Sequence, residues 1–180
     1  MDSTSATTDT DALDVDARDH LRPDGNQPVT VIIYGDFQCP FTAHAVAEMR
    51  HVLEQVSGQA RYAFRHFPLP KHPDAYAAAL AAEIAASHGR FWEMHDLLFA
   101  QHAQLERADL HRCAQLVGID AEAFDAGLRN SDNADRVERD VASGTAAGVT
   151  GTPTFFINGA QHFGDHSVEL IVQWVRESLD

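Results

Sequence analysis

Lysine is nearly absent from this chain: Lys71 is the single lysine among 13 basic residues, against 27 carboxylates and a net charge of −14. A protein that binds the nucleic-acid backbone needs a basic face to displace counterions, so nucleic acid is not an expected partner. Cysteine is scarce as well, with Cys39 and Cys113 alone. Two cysteines allow at most one bridge and no disulfide framework, and in a reducing compartment both default to free thiols. No apolar run approaches the roughly 20 residues of a membrane helix, so no membrane insertion is expected. The first residues lack the basic and apolar regions of a secretory signal, and a cytoplasmic location is expected. They hold six aspartates among small polar residues. Residues 1–20 therefore read as a disordered acidic leader ahead of one domain over 21–180.

What is present is an alternation of buried strands and helices. Val29–Tyr34 (VTVIIY) is a β-branched apolar run between Pro28 and Gly35, which predicts a buried strand. From Phe41 to Val56, Ala45, Val46, Met49, Val52, Leu53 and Val56 recur at helical spacing. Pro40 suits the first helical turn, where its missing N–H costs nothing, and Gly58 ends the helix. Arg61–Phe67 predicts a second strand, stopped by Pro68, Pro70 and Pro73. Strand, helix and strand in this order imply a parallel βαβ unit.

Helices are predicted next over 74–87, 91–101, 109–117, 120–129 and 132–147, with Asp74, Asp109, Asp120 and Asp132 as N-caps. A strand at Phe155–Ile157, the hairpin turn Asn158-Gly159 and a short strand over Ala160–Phe163 follow. An amphipathic helix from Ser167 to Leu179 closes the chain, with Val168, Ile171, Val172, Val175 and Leu179 on one side.

Cys39 follows the first predicted strand and opens the first predicted helix. A thiolate there faces unpaired backbone N–H groups and the positive end of the helix dipole. Those interactions favour the thiolate, which is the nucleophile. A small, inert core cysteine fits the same position. Far along the chain, Gly151-Thr152-Pro153-Thr154-Phe155 sets a proline directly before a strand. A Thr-Pro bond there can be cis, and a plain strand start fits as well.

Together the segments VTVIIYGDFQCPF, FRHFPLP followed by FWEMHDLLF, and GVTGTPTFFINGAQHFG resemble the DsbA family of the thioredoxin-like superfamily, in both order and spacing. The resemblance implies an α/β, thioredoxin-like fold (βαβ…ββα) with an inserted helical subdomain over 74–147. It also implies that Cys39 attacks disulfides, and that the Thr152-Pro153 loop holds the substrate backbone opposite it, beside Pro40 and Phe41.

Two positions depart from the family pattern. The second cysteine of its Cys-X-X-Cys motif falls on Thr42. Cys39 can then form a mixed disulfide but depends on an external thiol, such as glutathione, to resolve it. The acidic residue that family members commonly carry six positions before the first cysteine is Ile33 here. The two changes together point to monothiol use. Thr42 is expected to hydrogen-bond the Cys39 thiolate, and Phe37 and Phe41 to line an apolar docking surface. Cys113 shares a helical face with Leu110, Ala114 and Val117 and is expected in the core rather than as the resolving thiol.

His44, Glu48 and His51 share one helical face, and His162 and His166 lie four residues apart. Neither set has a converging further ligand, so no metal is expected. No cofactor is expected, and glutathione enters only as a co-substrate; the partners are protein or small-molecule thiols and disulfides. Two alternatives share the fold. One is a glutathione-dependent transferase or isomerase, as in kappa-class relatives, which usually carry Ser at the nucleophile position. The other is a redox-inactive binding or regulatory domain, since relatives of this subgroup occur fused to sodium/proton antiporters. The retained Cys39 counts against both.

Overall fold

A computed structural model describes residues 13–164 and 166–179. The apolar run at Val31 forms β2 (Val29–Gly35), which leads through α1 (Pro40–Gln55) into the parallel strand β3 (Ala60–His66). Five helices follow: α2 (Ala75–Ser87), α3 (Phe91–Ala100), α4 (Arg107–Leu116), α5 (Ala121–Leu128) and α6 (Ser131–Ala146). The chain then returns to the sheet as the hairpin β4 (Thr154–Ile157) and β5 (Ala160–His162) and ends in α7 (Val168–Glu177). Asn158 and Gly159 turn the hairpin with φ of 46° and 82°, the left-handed pair that this dipeptide adopts readily.

The sheet order is β1-β3-β2-β4-β5, where β1 (His20–Arg22) runs antiparallel to β3. Alternation along β2 separates two cores. Val29, Val31 and Ile33 face a cluster with Met49 and Val52 of α1, Ile171 and Val175 of α7, and much of α2–α5. Ile32 and Tyr34 face a smaller cluster with Leu13, Ala147, Val149 and Phe156. Helices α2–α5 thus share one continuous core with the sheet.

Several expectations need correction. Residues 1–20 read as a disordered leader in the sequence, yet Leu13 and Asp19 are buried and β1 begins at His20. The packed chain therefore starts no later than Leu13; residues 1–12 lie outside the described residues. The anchor is Arg65 of β3, a fully buried guanidinium. It donates to both carboxylate oxygens of Asp19 (3.0 and 3.1 Å), to the Tyr34 hydroxyl (3.0 Å) and to the Asp14 carbonyl (2.7 Å). Of the four expected N-caps, only Asp120 caps, accepting from the Ala123 N–H at 2.8 Å. Asp109 is instead the third helical residue of a capping box opened by Glu106, and Asn130 takes the place given to Asp132. Asp74 turns to a different partner, described below. Leu179 is 41% exposed, because α7 stops before it.

Helix α3 carries the fully buried His95, whose Nδ1–H donates to Asp96 (2.8 Å) while Nε2 accepts from the Tyr62 hydroxyl (3.2 Å). Burial pushes its pKa down from 6.5 to about 4, against the pull of Asp96. The unfolded chain takes up this proton near pH 6.5, and the folded chain only near pH 4. The stability held by the neutral imidazole is therefore complete above the unfolded value and declines as pH falls through that window, by on the order of 3 kcal/mol. Urea midpoints between pH 7 and pH 4 are expected to fall more steeply in the native chain than in His95→Gln.

Among the described residues, no helix is long and apolar enough to cross a membrane.

Candidate active site

Strand β2 ends at Gly35, where only glycine fits: a Cβ would lie 2.5 Å from the Phe64 ring and 2.8 Å from Thr42 Cγ2. The next four residues are held by Asp36, which is almost fully buried. Its carboxylate accepts from the Gln38 N–H (2.8 Å), the Leu69 N–H (2.8 Å) and His72 Nδ1–H (2.7 Å). Gln38 and Asp74 then bond reciprocally, at 2.9 Å through the Gln38 amide and at 2.8 Å through the Asp74 N–H. That pairing explains why Asp74 does not cap α2. The proline-rich segment after β3 is thus fastened to the loop that presents Cys39.

Cys39 is the N-cap of α1, with Pro40 as the first helical residue. Its own N–H donates to the Asp36 carbonyl at 3.1 Å. It makes no side-chain capping bond; its thiol instead points across to Thr152, donating to that carbonyl at 3.4 Å. The Thr152–Pro153 peptide is cis, and Thr154 opens β4 opposite Tyr34, near the end of β2. Residues 39 and 152–153, more than a hundred positions apart in sequence, therefore meet at one end of the sheet.

Each expected site residue has a definite place. Cys39 is 2% exposed, so the sulfur lies just beneath the surface. Phe41 is 73% exposed beside it, whereas Phe37 is buried against Phe64 and Phe99. Phe41 alone of the two can belong to a docking surface. Thr42 is fully buried, and its hydroxyl has no hydrogen-bond partner. The bond expected from Thr42 to Cys39 is thus not made; the methyl group packs toward Gly35 instead. The Thr152 hydroxyl is likewise buried and unpartnered. Ile33 sits in the larger apolar core with Phe64 and Phe155 opposite it in the register. A carboxylate at that position would be stripped of water with no partner to compensate.

Cys113 lies in the same core on α4, with the Gln101 amide donating to its sulfur, and burial raises its pKa. Both cysteines are free. Of the histidines noted in the sequence, the half-buried His162 packs on Trp174, the half-buried His166 stacks on Phe155, and the exposed His51 lies 3.6 Å from Glu54. The sequence reading missed Asp36, Gln38, His72 and Asp74. Its only available signal was an aspartate two residues ahead of a backbone N–H it can accept from, the pattern of an Asx turn.

A helix-opening cysteine facing a Thr-Pro loop, on a sheet of this order, defines a thioredoxin-fold domain. The family described as Thioredoxin matches residues 18–177, and the chain belongs to it. A thioredoxin-like oxidoreductase from Silicibacter pomeroyi superposes with a TM-score of 0.84 at 22% identity, covering 94% of this chain and 96% of that one. The thiol-disulfide exchange protein alpha-DsbA2 from Wolbachia pipientis superposes with a TM-score of 0.80 at 16% identity, covering 90% and 88%. The architecture is DsbA-like. In sequence the chain is 43% identical over 155 residues to the Na(+)/H(+) antiporter NhaA 3 of Salinispora tropica, covering 86% of this chain and 24% of the antiporter. The chain spans about a quarter of the length of the curated relatives it matches.

Proposed function

We propose that this domain is a monothiol thiol–disulfide oxidoreductase. The Cys39 thiolate attacks one sulfur of a protein or small-molecule disulfide, forming a mixed disulfide and expelling the other sulfur as a thiolate. With no neighbouring thiol, an external thiol such as glutathione then attacks the mixed disulfide and restores Cys39. The observation that carries this reading is the pairing of Cys39 with the Thr152-Pro153 loop while Thr42, a hydroxyl, occupies the place of a second sulfur. Substrate backbone meets the Thr152-Pro153 loop, and the exposed Phe41 ring offers apolar contact beside it.

In a coupled assay with a glutathione mixed disulfide as substrate, Cys39→Ser is expected to lose all activity above background. Cys113→Ser keeps it, because that thiol is in the core. Equal activity in native protein and Cys39→Ser would reject the reading.

The antiporter relatives favour a second reading, a domain that serves a transport protein by binding rather than by turnover. On that reading Cys39→Ser changes nothing in exchange chemistry, and the same assay separates the two.

A further inference from the structure

Away from Cys39, three groups capable of ligating a metal converge at one buried point. His20 comes from β1, His66 from the end of β3, and Glu83 from α2. Their ligand atoms lie within 4.8 Å of one another, the one such group among the described residues. Glu83 Oε1 stands 2.8 Å from His20 Nε2 and 2.6 Å from His66 Nε2. We propose that His20, His66 and Glu83 bind a divalent first-row metal ion of the zinc class.

The donor set carries the first part of the case. Two imidazole nitrogens and one carboxylate oxygen are the protein ligands of zinc sites that keep an open fourth position. Metal–ligand bonds of about 2.0–2.2 Å in a tetrahedron put neighbouring ligand atoms roughly 3.4 Å apart. The two Glu83–histidine spacings, 2.8 and 2.6 Å, need to open by less than about 1 Å to reach this.

Placement supplies the second part. Glu83 is the single charged residue of the alanine-rich helix α2, set where a carboxylate is costly to bury without partners. The two imidazole planes are fixed by rings: His20 stacks on Phe91, and His66 meets Phe64 edge-on at 5.5 Å. Such an apolar shell orients ligands and limits solvent at metal centres. A route in also exists. His20 lines a surface cavity of about 400 Å³ that also carries Asp16, Asp24 and Glu93, two of them held by Arg18 and Arg90. Of the three ligands, His20 is the one that borders this cavity.

Cobalt(II), added to the purified full chain, is the probe. Native protein is expected to take up one equivalent with the visible absorption of a four-coordinate nitrogen–oxygen site, and to release it on addition of zinc(II). Affinity is expected to fall roughly tenfold or more in His20→Gln and in Glu83→Gln, and to be unchanged in His51→Gln, a surface control. Circular dichroism checks the fold of each variant. Should Glu83→Gln fail to fold, His20→Gln on the partly exposed edge strand decides alone. No cobalt uptake by native protein, or uptake that persists undiminished in His20→Gln, overturns the site and leaves the cluster a carboxylate hydrogen-bonded by two imidazoles.

Discussion

Replacing Asp19 with alanine is expected to remove about 3–5 kcal/mol of folding stability, the usual cost of breaking a buried ion pair from one side. The substitution strips Arg65 of two hydrogen bonds and leaves a guanidinium that is 1% exposed facing a void. Arg136 and Arg139 also lean on this carboxylate, at 3.5 and 3.4 Å, so three cations lose one anion. The neighbouring Asp16 is the internal control. Its partner Arg18 is largely exposed, and surface pairs contribute at most about 1 kcal/mol. Urea unfolding followed by circular dichroism at pH 7 compares Asp19→Ala, Asp16→Ala and the native chain. A cost for Asp19→Ala no greater than that for Asp16→Ala would mean that the segment before β1 is not part of the folded unit. The same pair sets an acid limit. Asp19 has its pKa lowered, the hydrogen bonds and charge of Arg65 outweighing the opposing and larger single effect of burial. Its stabilisation is complete above the ordinary carboxylate range and is lost as pH falls through the lowered value.

Thr42→Cys is expected to restore internal resolution. Thr42 lies one helical turn on from Cys39, buried, with a hydroxyl that bonds to nothing, so a sulfur there displaces no existing interaction. A thiol held at that range attacks a mixed disulfide at an effective concentration far above millimolar. Release of a Cys39-bound thiol is then expected to be about a hundredfold faster than in native protein with millimolar glutathione. Stopped-flow release of a chromophoric thiol measures it. Unchanged release would mean that position 42 cannot reach the Cys39 sulfur. Ile33, apolar and in the core, limits the gain, because its side chain offers the new thiol no base to take its proton.

The parts of this fold that were legible in sequence are those whose physics is local. The β-branched run of β2, the Asn-Gly turn and the repeat of Ala45, Met49 and Val52 each carry their own periodicity. Strand β1 carries none. It is three residues, His20–Arg22, with partners far away in the chain: Glu83 for His20, Trp92 for the Leu21 carbonyl and Asp96 for Arg22. Its acidic approach looked like unstructured leader because Asp19 gains its meaning only from Arg65, 46 residues on. The site divides in the same way. Cys39 and Pro153 announced themselves by residue type, whereas Asp36 depends on Leu69 and His72, which the turn after β3 brings back to it. Phe37 and Phe41 look alike in sequence, and the helix start between them sends one into the core and the other to solvent.

The central claim is that a single sulfur does the chemistry and waits for another molecule to free it. Intact-mass spectrometry of the reduced chain after incubation with oxidised glutathione tests this most directly. One glutathionyl adduct is expected, located on Cys39 by peptide mapping, stable in the absence of thiol and removed by excess reduced glutathione. Modification of Cys113 instead, or a chain that stays unmodified, would contradict it.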